Sequence, residues 1–174
     1  VAAWKYFRKL NAFFGHEEEF IFLDLNCLVL ADLMRLFEGH GPGNGIYFGC
    51  RSRRDRSIRD EHGRRFLSDL SPGLEGGYNS AMMVSKGGAV DAGLASAIAR
   101  PELRRVIGAA PEQGFLAFYM AMFGVRHGTI AELRPELADI TANVIFSDTG
   151  DGFVRAKTGP EAGKIKAVIK FPGP

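Results

Sequence analysis

The chain has 174 residues, of which 46% are hydrophobic and 24% are charged, and its formal net charge is +2. This composition is typical of a folded globular protein and excludes a chain that is disordered throughout. The small net charge also excludes whole-chain attraction to an acidic partner, so any electrostatic function has to come from a local cluster.

The first predicted element is a β-hairpin. Residues 7–14 are rich in aromatic side chains, a polar connection begins at Gly15, and residues 19–25 are rich in β-forming types. The segment up to Phe14 also fits one face of a helix, which stays open as the alternative.

A helix is predicted after the hairpin. Asn26 is a good N-cap, the apolar residues between 28 and 37 follow helical spacing, and Gly39 favours the end of a helix. A glycine-rich loop then leads to a short predicted strand over 46–50.

An arginine-dense stretch follows, and within it residues 60–63 indicate a turn into a second strand over 64–70. Guanidinium groups bind phosphate or carboxylate through two parallel hydrogen bonds. We therefore predict a partner-binding surface for an acidic protein such as tubulin, with RNA as the alternative. A solvated, partly salt-bridged loop is the non-functional interpretation. The candidate residues are Arg51, Arg53, Arg54, Arg56, Arg59, Arg64 and Arg65.

The alanine-rich region 80–139 is predicted to be helical. Pro101 and Pro111 each suit the first turn of a helix, and a helix boundary is expected at Arg134. The apolar run 115–125 is too short to span a membrane, so it is predicted to be a core helix, with docking to a partner as the alternative.

The C-terminal part is predicted to be β-stranded, with strands over 143–146, 153–157 and 164–171 and a turn over 148–152. These elements suggest two domains. Residues 1–85 form the first, and residues 86–174 form a helical segment with a C-terminal hairpin or small sheet.

Three features of the first half occur together. They are the segment Glu18–Cys27 with its closing Asn-Cys pair, the apolar helix after it, and the Asp60–Gly63 turn that leads into Phe66 and Leu67. Their combination resembles a ubiquitin-like family of small eukaryotic proteins that are known mainly by open-reading-frame names. The resemblance covers roughly residues 8–85. It implies an α+β chain with a ubiquitin-like β-grasp N-terminal half and a non-enzymatic role, with a ciliary setting, and it transfers no functional residues.

Three segments of the chain resemble known ligand-binding motifs but lack a feature that each motif requires. The loop 39–45 follows a predicted helix rather than a strand, unlike a dinucleotide-binding loop, and 159–164 lacks the hydroxyl residue of a phosphate loop. Residues 148–152 are not followed by the closing glutamate of a calcium loop. Two cysteines and scattered histidines give no metal-binding spacing. We therefore predict no catalytic, cofactor-binding or metal-binding residues.

The sequence thus favours a non-enzymatic adaptor subunit of a larger assembly, ciliary or axonemal, that binds other proteins. The alternative is a peripheral subunit of a ribonucleoprotein or ribosome that uses the 51–65 stretch. The N-terminal residues do not show a signal-peptide pattern, from which we expect a cytoplasmic location. An enzyme whose site is assembled from dispersed residues stays open, and a deep pocket with convergent polar groups would favour it.

Overall fold

The computed structural model describes most of the chain between residues 7 and 135. The described ranges are 7–25, 27–29, 32–38, 41–51, 57–99 and 101–135, followed by the backbone of four short strands between 142 and 170.

Nine strands lie within the described residues. They are β1 (Glu19–Leu23), β2 (Cys27–Val29), β3 (Ile46–Arg51), β4 (Tyr78–Lys86), β5 (His127–Thr129), β6 (Ala142–Asn143), β7 (Phe146–Asp148), β8 (Val154–Ala156) and β9 (Val168–Lys170).

Five α-helices and two 3-10 helices accompany these strands in the same part of the chain. The α-helices are α1 (Glu61–Leu70), α2 (Ala92–Ile98), α3 (Pro101–Val106), α4 (Pro111–Phe123) and α5 (Ile130–Leu133), and the 3-10 helices span Arg8–Phe14 and Met34–Leu36.

The main sheet has four strands in the order β1-β4-β3-β5. The β1–β4 and β4–β3 pairs are antiparallel, whereas β5 lies parallel to β3. A second sheet has the order β2-β9-β6, and β7 pairs with β8 in an antiparallel ladder. The chain therefore belongs to the mixed α+β class, as predicted.

Both faces of the main sheet are buried. Phe48 and Met83 point into the larger core, against α4, while Tyr47, Met82 and Val84 point into a smaller core on the opposite face. Adjacent residues of a strand face opposite sides, so a strand that is covered on both faces carries a continuous apolar run.

This burial explains why the sequence pattern of β4 predicted a helix. Residues 81–84 are all apolar and buried, so the alternation that marks a half-exposed strand is missing. The prediction of a helical region from residue 80 onward is wrong for the part that forms β4.

The predicted strand over 64–70 is also wrong, because these residues belong to α1. Asp60 is the N-cap of this helix, and its carboxylate accepts a hydrogen bond of 3.0 Å from the backbone N–H of Gly63. Asp is a preferred N-cap residue, so the Asp-Glu-x-Gly sequence that suggests a turn also suits the start of a helix.

Near the N-terminus, the predicted hairpin does not form, because Arg8–Phe14 is a 3-10 helix. The predicted helix over 28–37 is replaced by β2, which pairs with β9, and by the short 3-10 helix Met34–Leu36. The proposed caps of that helix, Asn26 and Gly39, lie outside the described residues.

Other predictions are confirmed. Ile46 opens β3, Pro101 and Pro111 begin helices, and Arg134 is the C-cap of α5. Within the apolar run, residues 115–120 are all buried, which confirms a core position for this part, whereas Met122 is 50% exposed. The C-terminal strands β6 to β9 lie in or near the three predicted segments.

The main core draws on both halves of the chain. It contains Phe13 and Phe48 from the first half and Phe115 and Met120 from the second. The division into two domains at residue 85 stays a prediction. No helix in the described part of the chain is both long enough and apolar enough to cross a membrane.

Candidate functional site

A cavity of about 570 Å³ opens where α1 ends, between the main sheet and the segment that joins α4 to β5. Its apolar wall includes Leu70, Met120 and Leu133. Its polar lining includes six side chains from five separate segments of the chain. They are Arg51, Ser71, Tyr78, Arg126, His127 and Glu132.

His127 occupies the centre of this polar group. It is the first residue of β5, which is held in parallel register with β3 because Ile46 donates its backbone N–H to the carbonyl of Arg126 at 2.9 Å. Both imidazole nitrogens are hydrogen-bonded: Nε2 lies 2.9 Å from Ser71 Oγ, and Nδ1 lies 3.1 Å from the hydroxyl of Tyr78.

The imidazole of His127 is held in its neutral form. Burial lowers its pKa, the positive charge of Arg51 lowers it further, and the carboxylate of Glu132 opposes both only in part. A neutral imidazole has one N–H donor and one acceptor nitrogen. The acceptor nitrogen of neutral His127 can therefore take up a proton near neutral pH.

Tyr78 begins β4 and is almost fully buried. Its ring stacks on Phe48 with centroids 4.6 Å apart and planes 3° from parallel. Burial raises the pKa of Tyr78 to about 12, although the charge of Arg51 acts in the opposite direction. The phenol is therefore a neutral partner for His127 throughout the physiological pH range.

Arg51 ends β3 and connects three parts of the site. Its Nη1 donates to the carbonyl of Gly73 at 2.6 Å, and its Nε and Nη2 donate to Glu132 Oε1 at 3.1 and 2.9 Å. Burial acts to lower the pKa of Arg51, but the hydrogen bond to Glu132 and nearby negative charges outweigh it, so the pKa is raised. Arg51 is therefore a permanent cation at this site.

Glu132 is held by both of its carboxylate oxygens. Oε1 accepts from Arg51, and Oε2 accepts from the backbone N–H of Thr129 at 2.9 Å, while the Thr129 hydroxyl accepts from the backbone N–H of Glu132 at 3.1 Å. This reciprocal pair is a capping box at the start of α5. Burial acts to raise the pKa of Glu132, but the hydrogen bonds from Thr129 and Arg51 hold it below its ordinary value.

Ser71 is the C-cap of α1, and its backbone N–H donates to the carbonyl of Leu67 at 2.8 Å. The chain then turns sharply through Pro72 and Gly73, which has a φ of 96°. A positive φ of this size favours glycine. Because Arg51 binds the carbonyl of Gly73, the same guanidinium that pairs with Glu132 also holds the turn that carries Ser71.

The arginines predicted from sequence are not brought to one place. Arg51 lines the cavity, whereas Arg59 and Arg65 are exposed on and beside α1. Arg64 is tied to local structure through Glu61 and the carbonyl of Ile58. The other three, Arg53, Arg54 and Arg56, lie outside the described residues.

The sequence does not indicate the remaining polar residues of the cavity as functional. His127 lies 56 residues after Ser71 and 49 after Tyr78, and the three follow no motif spacing, so only the register of β3, β4 and β5 reveals that they meet. Among the described residues, no three His, Cys, Asp or Glu side chains are arranged to hold a metal ion.

Comparison of the chain with protein-family models, with curated proteins and with solved structures finds no match.

Proposed function

We propose that the protein binds a small, negatively charged organic molecule in the cavity around His127. The observation that carries this proposal is the convergence of Arg51, Ser71, Tyr78, Arg126 and His127 on one cavity. Its volume of about 570 Å³ lies within the range of small-molecule sites, which is about 300–1,000 Å³.

The charge of the cavity walls supports the proposal that the ligand is an anion. Two arginines and one glutamate line the cavity, so its walls carry a net positive charge when His127 is neutral. The charge of Arg51 is largely used by Glu132, whereas Arg126 is exposed and has no ion-pair partner within the described part of the chain. A carboxylate or phosphate on Arg126 would complete this arrangement.

The polar groups inside the cavity support a ligand with hydrogen-bonding atoms. Ser71, Tyr78 and His127 already bond to one another, yet each hydroxyl oxygen has further capacity to accept or donate. Groups of this kind fix the orientation of a ligand whose apolar part lies against Leu70, Met120 and Leu133.

The test is a titration followed by ¹H–¹⁵N NMR, with inorganic phosphate, citrate and uncharged glucose as probes. We expect phosphate or citrate to shift the signals of His127 and of the Gly73 and Gly128 amides, and glucose to leave them unchanged. Arg126→Gln should weaken the anion response at least tenfold. Arg65→Gln removes an exposed arginine away from the cavity and is the matched control. An equal loss in both variants would contradict the proposal.

A second candidate function is the adaptor role predicted from sequence, and the outer face of α1 favours it. Phe66 and Leu70 lie four residues apart on this helix and are 46% and 50% exposed, and Arg65 and Arg59 are exposed nearby. An apolar pair flanked by cations suits an acidic protein surface such as tubulin. The ubiquitin-like relationship and the ciliary setting belong to this second proposal and are supported by the sequence resemblance alone.

Co-sedimentation with microtubules tests this second candidate. Phe66→Ala and the double variant Arg59→Glu/Arg65→Glu should each abolish salt-sensitive binding, whereas Arg126→Gln should not affect it. Binding of RNA in place of microtubules, lost in the same double variant, would support the ribonucleoprotein alternative. No binding to either would remove the support for an interaction surface on α1.

A further inference from the structure

We propose that Ser71 is a nucleophile that His127 activates, and that the cavity cleaves a small ester of an anionic acid. This inference rests on the function proposed for the same cavity and adds a reaction to it. A nucleophile, a base in hydrogen-bond contact with it and a third group that orients the base are the three parts that such chemistry requires. Ser71, His127 and Tyr78 supply these parts in one line.

The three side chains are aligned around the imidazole of His127. Ser71 Oγ lies 2.9 Å from Nε2 of His127, and the hydroxyl of Tyr78 lies 3.1 Å from Nδ1 on the other side of the same ring. Two contacts on opposite nitrogens fix the plane and rotation of the imidazole. The three residues are separately anchored by the end of α1, the start of β5 and the start of β4, so their alignment does not depend on a single flexible loop.

The serine and the histidine are accessible from the cavity. Ser71 and His127 line the cavity and are half-buried, so a ligand in the cavity reaches both groups. Tyr78 is almost completely buried and contacts the ring from behind, which makes it a positioning residue. A structural serine–histidine bond in a closed core would have no such opening.

The reaction follows from these positions. The reaction uses the tautomer of His127 whose proton is on Nδ1. In that tautomer Nδ1–H donates to the oxygen of Tyr78, and the lone pair of Nε2 accepts the Ser71 proton as Oγ attacks the ester carbonyl carbon. The carbon–alkoxy bond then breaks, and the leaving alcohol takes this proton from His127. Water repeats the sequence on the acyl-serine, releases the acid and restores Ser71. The net reaction is ester plus water to acid plus alcohol.

The positive charge around the cavity also favours the attack of Ser71 on an ester. The carbonyl oxygen becomes negative during the attack, and fixed positive groups stabilise such charge because they need no reorganisation. Arg51 and Arg126 provide positive charge at the cavity, and Arg51 in addition holds the Gly73 turn next to Ser71. An anionic group on the acid side of the ester would bind to Arg126, where the described residues offer no competing carboxylate.

A fluorophosphonate probe tests the nucleophile directly on the full chain. Oγ of an activated serine attacks its phosphorus, fluoride leaves, and the hydroxyl proton passes to Nε2. We expect one adduct, located on Ser71 by peptide mass spectrometry. Ser71→Ala should lose the adduct, and His127→Gln should form it at least about 100-fold more slowly. Ser96→Ala is the matched control, because Ser96 lies on α2 and its hydroxyl donates to the carbonyl of Ala92.

The pH dependence separates a positioning role of Tyr78 from a purely structural one. Labelling of the wild type should rise to a plateau with a midpoint below about 6.5, because the base must be neutral. The charged and titratable groups that face His127 are Arg51 of β3, Tyr78 of β4, the adjacent Arg126 and Glu132 of α5. Tyr78→Phe should slow labelling at the plateau and shift this midpoint while its thermal unfolding stays close to that of the wild type.

The outcomes distinguish the two proposals about the cavity. Anion-induced NMR shifts without an adduct on Ser71 would overturn the nucleophile and leave the binding function standing. An adduct on Ser71 without anion shifts would support the nucleophile and overturn the anionic ligand. An adduct that forms equally fast in His127→Gln, or on another serine, would also overturn the inference.

Discussion

Arg51 and Tyr78 are partners across the β3–β4 ladder, and the guanidinium carbon of Arg51 lies 5.1 Å from the centroid of the Tyr78 ring. This contact joins the group that supplies positive charge to the group that orients His127. It also places the cation where it lowers the pKa of the imidazole. One cross-strand pair therefore sets the charge, the orientation and the protonation state of the candidate site.

Replacing Arg51 should destabilise the fold more than a surface ion pair would suggest. The side chains of Arg51 and Glu132 are 44% and 49% exposed, and ion pairs of this kind contribute at most about 1 kcal/mol to stability. Arg51→Met additionally loses the contact with Tyr78 and the hydrogen bond to Gly73, each worth about 0.5–1 kcal/mol. We expect urea unfolding to show a loss of about 2 kcal/mol. In a double-mutant cycle with Glu132→Gln, a coupling energy well above about 1 kcal/mol would contradict this division of the loss, because the cycle isolates the ion pair alone.

His127 should make the protein less stable in mild acid. Its folded pKa is lowered by burial and by Arg51, so below about pH 6.5 the unfolded chain binds a proton that the folded chain does not. Stability is thus fully present above that pH and falls as the pH decreases toward the folded pKa. NMR titration of the imidazole measures the shift, and His127→Gln should flatten the dependence of unfolding free energy on pH between 5 and 7. A His127 pKa at or above 6.5 would contradict the burial argument.

Tyr78 should make the protein less stable in alkali. Its folded pKa is about 12, whereas a tyrosine in the unfolded chain ionises near pH 10. As the pH rises through 10, the unfolded chain loses this proton first, so stability falls by about 2–3 kcal/mol up to pH 12. Ultraviolet titration of phenolate absorbance checks the pKa. Tyr78→Phe keeps the stacking on Phe48 and should remove the highest transition, and an unchanged titration curve would reject the assignment.

The sequence predicts an element of the fold correctly when the residues that determine it lie within that element. Pro111 and the apolar run after it predict α4 correctly, because a first-turn proline and a continuous buried face are read within one helix. The strand β4 is missed because both of its faces are covered, which removes the alternation that identifies a strand.

The candidate site is less predictable than the elements that carry it. Of its polar residues, the sequence indicates only Arg51, as one member of a basic stretch rather than for its contacts. Ser71 and His127 are separated by 56 residues and meet only because α1 ends beside the first residue of β5. Non-local pairing of this kind leaves no spacing pattern in the sequence, so the absence of motifs carries little weight against a catalytic role.

Gly114 should be intolerant of a side chain. A Cβ at this position would collide with the backbone oxygen of Ser57 and lie 3.1 Å from two side-chain carbons of Ile107. Since backbone atoms in a packed core move little, Gly114→Ala should destabilise by about 1–3 kcal/mol despite the higher helix propensity of alanine. Gly15→Ala is the control, because its nearest neighbour would be 3.6 Å away and its φ is −69°. Equal unfolding midpoints for the two variants would show that α4 can shift.

Glu112 lies at the start of α4 and is only 3% exposed. The positive charge of Lys9 that balances its carboxylate should therefore contribute measurably to the free energy of unfolding. Its Oε1 accepts from Ser80 at 2.8 Å and lies 3.7 Å from Lys9 Nζ, while its Oε2 has no partner among the described atoms. Lys9 also pairs with Asp24 at 2.8 Å, which holds the ammonium at the edge of this polar group.

Removing the cation should therefore cost more than removing the buried charge. Lys9→Met leaves a buried carboxylate without its cation, which costs about 3–5 kcal/mol for a fully buried pair and about 2 kcal/mol here, because Lys9 is 18% exposed. Glu112→Gln keeps the acceptor for Ser80 and should cost less than about 1 kcal/mol. The double variant should be more stable than Lys9→Met alone, since no unpaired charge remains in the core. Strictly additive losses in urea unfolding would show that Glu112 does not depend on Lys9 and that Ser80 alone is sufficient to hold it.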